Sequence, residues 1–115
     1  MNYDLEERTA KFGENVIHFV STFPKNEVNK ILINQVVRSA TSIGANYMEA
    51  NQASSKKDFK NKVGICRKEA NETKYWFRMI SSANKDKVDE CKKYWRESHE
   101  FVLIFSKIFS SSSKN

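Results

Sequence analysis

At 115 residues the chain has the length of one domain and can bury a single core, which excludes a second substantial domain. Its 39% hydrophobic and 30% charged residues, with eight Phe, four Tyr and two Trp, exclude a disordered polyelectrolyte, and three Gly with one Pro leave too little turn chemistry for an all-β fold. Twenty Lys and Arg against 14 Asp and Glu give a net charge of +6, which favours an anionic partner without naming one.

Four helical segments emerge once the chain is cut at its few breakers. The first covers residues 3–22, where Leu5, Thr9, Phe12, Val16, Phe19 and Phe23 recur at steps of four and three until Pro24. The second, residues 26–53, places Val28, Leu32, Val36, Ser39, Ile43, Asn46 and Ala50 on an unusually polar inner face. The third, residues 55–83, repeats the seam with Phe59, Val63, Cys66, Ala70, Thr73, Phe77 and Ile80, with Ser55 as its N-cap. After the polar break at Asn84 and Lys85, the fourth, residues 86–109, lines up Val88, Cys91, Trp95, Ser98, Val102, Phe105 and Phe109, and residues 110–115 read as a frayed tail. Helices this long joined by such short connections pack as antiparallel neighbours, so the expected fold is all-α, an antiparallel up-down-up-down four-helix bundle. Phe12, Phe19, Val63, Phe77, Trp95 and Phe105 are its expected core.

Acids at positions 4, 6, 7 and 14 break any secretory pattern, and no run of about eighteen apolar residues marks a membrane span. A cytoplasmic location is expected. Cys66 and Cys91 then behave as reduced, buried hydrophobes; counted from a turn near Asn84 they lie roughly 16 Å apart in height, too far for a disulfide. A di-iron bundle needs Glu three residues before each ligating His, but Asn15 precedes His18 and Arg96 precedes His99. No metal site, no cofactor and no catalytic residue is expected, and both histidines read as rim or packing residues.

Three constellations stand out. Gln35, Ser39, Ser42 and Asn46 lie on or beside the inner face of the second helix and require partners. If the hairpin between helices two and three turns near Ala53, Arg38 comes level with Glu69, and Gln35 with Glu72, in a pair that fixes helix register. Ile65 and Trp76 widen the apolar arc of the third helix, which calls for two neighbouring helices or an interface. Lys56, Lys60, Arg67, Lys74 and Arg78 fall within about a 40° sector of the third helix over roughly 33 Å. No acid shares this stripe, and residues 55–68 hold six cations and one anion. The pattern suits RNA or DNA bound through phosphates, and a solvated helix face accounts for it equally.

The run Phe23-Pro24 with Glu27, Gln35, Arg38-Ser39-Ala40, Ser42-Ile43, Ala45-Asn46 and Glu49, followed by Lys68-Glu69-Ala70-Asn71-Glu72-Thr73 and Tyr75-Trp76, resembles the two motifs of the bacterial four-helix bundle family named after 23S rRNA intervening-sequence proteins. Gly44 stands where that family often has Pro and Ala50 where it often has Gly, so the residues that would bring a kink or sharp exit are missing. The resemblance implies a homo-oligomer, pentameric in family members, with a basic surface and no known catalysis. A similar protein is the accessory factor of diversity-generating retroelements, which contacts nucleic acid and a reverse transcriptase, so a polymerase or other protein client is implied too. Arg38, Asn46, Glu69, Glu72 and Trp76 match motif positions and read as structural or interface residues. The expected function is that of a non-enzymatic nucleic-acid-binding or accessory protein; the alternative is an adaptor whose basic face meets an acidic protein.

Overall fold

Four helices carry nearly all of the backbone in the computed structural model, which describes residues 2–113: α1 (Asn2–Val20), α2 (Glu27–Asn51), α3 (Lys56–Ala83) and α4 (Val88–Ser113). The starts of α2 and α3 have a local cause. Asn26 caps α2 by accepting from Asn29 N, and Ser55 caps α3 by accepting from Asp58 N, leaving fewer orphan amides in each first turn. A short 3-10 turn over Lys85–Lys87 leads into α4. Residues 110–113, expected to fray, continue α4, held in part by Ser112 Oγ donating to Ile108 O; positions 114 and 115 of that expected tail lie outside the described residues. α2 runs unbroken through Gly44 and Ala50.

Every consecutive pair is antiparallel. Asn51 reaches Glu6 across α1 and α2, Thr73 meets Ser39 across α2 and α3, and Phe77 stacks on Tyr94 across α3 and α4. The expected up-down-up-down bundle is the observed fold, with extents of 47 × 22 × 19 Å. At Gly44 an added Cβ would stand 3.2 Å from Thr9 Oγ1 and 3.4 Å from the Thr9 backbone, so the missing side chain lets α1 and α2 approach closely. α1 and α4 are bridged instead by large side chains.

Aromatic rings fill the centre. Tyr94 is sandwiched, stacked on Phe19 of α1 at 4.8 Å and on Phe77 of α3 at 5.4 Å. Phe12 meets Phe101 edge-on at 5.3 Å, and Tyr47 meets Phe105 likewise at 5.4 Å. Two expectations for the inner faces are corrected here. Trp95 is 38% exposed, and Tyr94 and Phe101 take the interior of α4 because those rings, not Trp95, point at α1. Val28 is 56% exposed, and its neighbour Asn29 is buried in its stead. Asn29 and Asn84 exchange reciprocal amide bonds of 2.8 and 3.0 Å, and each also donates to a backbone carbonyl, Pro24 O and Ile80 O respectively. This pair ties the two turns at one end of the bundle. One residue along from the expected Asn46, Tyr47 is the fully buried residue on that turn of α2.

The polar inner face of α2 is satisfied. Ser39 Oγ donates to Val36 O and accepts from Thr73 Oγ1 at 2.9 Å, Ser42 Oγ donates to Arg38 O, and Asn46 Nδ2 to Ser42 O. No buried side-chain polar atom among the described residues lacks a partner.

Both cysteines are buried free thiols, and desolvation pushes Cys66 up to about 12 and Cys91 up to about 11. An unfolded thiol titrates near about 8.5, so above that pH the unfolded chain sheds protons that the folded chain keeps. Stability is therefore unaffected by the thiols at neutral pH and falls as pH rises from about 8.5 toward 11, by up to about 1.4 kcal/mol per pH unit for each thiol. Urea midpoints at pH 8 and pH 10 are expected to separate clearly, and less so in a Cys66→Ala/Cys91→Ala variant. An identical pH dependence in that variant would assign the loss to other groups. Burial raises Tyr47 and Tyr94 too, so some alkaline loss persists in it.

Candidate nucleic-acid interface

Four acids of α3 and α4, namely Glu69, Glu72, Glu97 and Glu100, are paired with arginines of α1 and α2. Arg38 of α2 donates through Nη1 to Glu69 Oε1 at 3.2 Å, through Nη2 to Glu72 Oε2, and through Nε to Gln35 Oε1 at 3.1 Å. Trp76 Nε1 donates to the same Glu72 oxygen at 2.8 Å. On α4, Glu97 and Glu100 are held by Arg8 of α1, whose guanidinium also lies 4.8 Å over the Phe101 ring. Lys62 pairs with Glu49 at 2.7 Å.

The level pairing of Arg38 with Glu69 is thus present, and it groups two carboxylates around one guanidinium. Side-chain exposures of 16% for Glu69 and 32% for Glu72 place both between surface and interior. Arg38→Ala leaves two like charges side by side, with an expected loss of about 1–2 kcal/mol, more than a typical exposed pair contributes. A double-mutant cycle between Arg38→Ala and Glu69→Gln, read by urea denaturation, is expected to show coupling; strict additivity would mean that Arg38 acts through packing alone.

Three of the five stripe residues, Lys60, Arg67 and Lys74, are half-buried, while Lys56 and Arg78 are exposed. Lys60 Nζ sits 4.6 Å from the centre of the Phe109 ring and the Arg67 guanidinium carbon 4.5 Å from the same centre. Lys74 Nζ lies 4.7 Å from the Trp95 ring centre and donates to His99 Nδ1 across 3.0 Å. Trp95 and His99 are stacked at 5.5 Å with an interplanar angle of 18°. Gly64 makes room for Phe109, whose ring edge would be 3.2 Å from an added Cβ. Lys56 is exposed at the start of α3, and Arg78 faces Lys92 and Arg96 of α4 around a pocket. The stripe is therefore one wall of the α3/α4 groove, and Lys60, Arg67 and Lys74 are half-buried on aromatic rings of the other wall. None of the five forms a salt bridge among the described residues, which leaves their charge directed to solvent.

Of the stripe that the sequence allowed as a solvated helix face, Lys60, Arg67 and Lys74 instead lie against rings of α4. A signal for it lay in the residues already chosen. Glu69 and the stripe flank the buried arc of α3 on opposite sides, so once Arg38 places α2 on the Glu69 side, α4 has to occupy the other. The ring partners Trp95, His99 and Phe109 were missed as site residues because each had been read as core or rim.

Cations over rings gain on the order of 0.5–1 kcal/mol at exposed sites, and the gain here goes into orientation. Long side chains are held at the rim of the groove, roughly 10 Å apart along the axis, by the rise over seven residues. The arrangement offers a row of oriented positive charges with no acid among them, suited to a polyanion.

A model of the 23S rRNA-intervening sequence protein family matches residues 1–107. The chain belongs to that family. A solved structure of a protein of unknown function from the S23 ribosomal protein family, from Bacteroides thetaiotaomicron VPI-5482, superposes with a TM-score of 0.83 at 29% identity, covering 95% of this chain and 97% of that one. Among curated proteins none matches. As a 23S rRNA-intervening sequence protein the chain shares with that relative the whole bundle, from one end to the other. Among its described residues no helix is long and apolar enough to cross a membrane, and no three His, Cys, Asp or Glu side chains gather as metal ligands.

Proposed function

We propose that this 23S rRNA-intervening sequence protein is a non-enzymatic nucleic-acid-binding or accessory protein of the cytoplasm, gripping RNA or DNA phosphates in its α3/α4 groove. The observation that carries the reading is the alignment of Lys60, Arg67 and Lys74 on aromatic rings, with Glu69, Glu72, Glu97 and Glu100 held by arginines of other helices. Orientation in advance lowers the ordering cost that flexible lysines otherwise incur on binding. The family name points to RNA as well. Binding without catalysis fits the groove's chemistry, because lysine and arginine supply charge, while both thiols are buried and stay protonated at neutral pH.

The working form is a homo-oligomer, a closed ring of five by the family resemblance, built through the other side of the bundle. Ile17, Val28, Ile31 and Met48 are exposed on α1 and α2, away from the groove, so their burial between subunits leaves the cations free for nucleic acid. A polymerase or another protein then meets the oligomer as client.

Titration against structured RNA, duplex DNA and an acidic polypeptide at several salt concentrations tests the reading. With three to five phosphates neutralised per chain, log affinity for duplex is expected to fall against log salt with a slope of about −3 to −5, and more steeply if several subunits engage. Preference for the acidic polypeptide would favour a protein adaptor instead. Light scattering that reports a monomer at tens of micromolar protein would refute the ring.

A further inference from the structure

At the end of the groove nearest the 84–87 turn, α3 and α4 border an open pocket of about 420 Å³. Phe77, Cys91 and Trp95 form its apolar lining, and Arg78, Lys92 and Arg96 stand around it with no carboxylate among the lining residues. Its volume is that of a small-molecule site. An aromatic surface surrounded by three cations selects a ligand that is both planar and anionic. Trp95 is the main planar element, and its orientation is held by His99, stacked on it from one turn further along α4, and by Lys74 of α3 over its ring, while Cys91 and Lys92 of the preceding turn line the pocket beside it.

We infer that this pocket takes one unstacked nucleotide of a single-stranded nucleic-acid segment, with its base against Trp95 and its flanking phosphates on Arg78, Lys92 and Arg96. The inference rests on the nucleic-acid reading above and deepens it, because it names the strand state the groove selects. A base held in a duplex keeps its faces against its neighbours and cannot offer one to Trp95; an unpaired base can. The pocket also continues into the row of groove cations through Trp95, whose ring is shared with Lys74. A strand leaving the pocket therefore runs on over Lys74 and Arg67, and a free mononucleotide makes only the terminal part of these contacts.

The test uses the full chain with end-labelled oligouridylate and oligoadenylate of about twelve nucleotides and the matching duplex, a length within the usual footprint of single-strand binders. Single strands are expected to bind more tightly than duplex. In Trp95→Ala the ratio of single-strand to duplex affinity is expected to fall about five- to hundredfold, the range for loss of one base-aromatic stack, and Trp95→Phe is expected to recover most of it. Trp95 lies outside the core, so the bundle is expected to persist, as circular dichroism will check. In a Trp76→Phe background the remaining Trp95 fluorescence is expected to be quenched by the single strand. An unchanged affinity ratio in Trp95→Ala, with Lys60→Glu/Arg67→Glu still weakening binding, would overturn the pocket and leave the broader reading standing. Absence of binding to every oligonucleotide by the unmodified chain would overturn both.

Discussion

Phe77→Ala is expected to destabilise the fold by about 3–5 kcal/mol, the usual cost of truncating a fully buried aromatic side chain. Phe77 is 1% exposed and stacks on Tyr94, which in turn stacks on Phe19, so its removal opens a cavity within a three-ring sandwich joining α1, α3 and α4. Because small domains are commonly stable by only about 5–15 kcal/mol, a drop in melting temperature of about 10 °C or more is expected by calorimetry. Trp95→Ala supplies the contrast. Both residues looked like core in the sequence, but Trp95 is on the groove and 38% exposed, so its truncation is expected to cost about 1–2 kcal/mol. Equal destabilisation by the two substitutions would contradict the placement of α4 described above.

The second large effect is on binding. Lys60→Glu/Arg67→Glu removes two oriented cations and inserts two anions over the Phe109 ring. Each lost phosphate contact lowers the magnitude of the salt slope by about one, so the pair is expected to flatten it by about two. Extended from 1 M to 0.05 M salt, that difference amounts to a loss of affinity of roughly two- to fourhundredfold, alike for every sequence. The fold is expected to lose about 1–2 kcal/mol as well, because two cation-ring contacts disappear, yet to remain helical. Binding measured on the verified folded variant separates these effects. Unchanged affinity would reduce the row of cations to a solvated rim.

The inner faces of α1 and α3 were legible from spacing alone. Phe12, Val16 and Phe19, then Val63, Cys66, Ala70, Thr73, Phe77 and Ile80, are buried as their steps of three and four require, since each helix has polar residues on its remaining faces. The cap at Ser55 and the Arg38 to Glu69 level followed from local chemistry and from a constant rise per residue along two helices joined by a short turn. α4 was different. From Phe101 to Phe105 it is apolar at every position, and Tyr94 and Trp95 are adjacent, so more than one sector is able to serve as its inner face. Only the rings waiting on α1 and α3 select Tyr94 and Phe101 over Trp95, because packing against Phe19, Phe77 and Phe12 is a property of neighbours distant in sequence. The same choice turns Trp95, His99 and Phe109 toward α3, where they meet Lys60, Arg67 and Lys74. The stripe itself is a property of one helix, written in its spacing; the groove exists only where two helices meet, and which rings of α4 enter it is decided by the packing of α4 against α1 and α3.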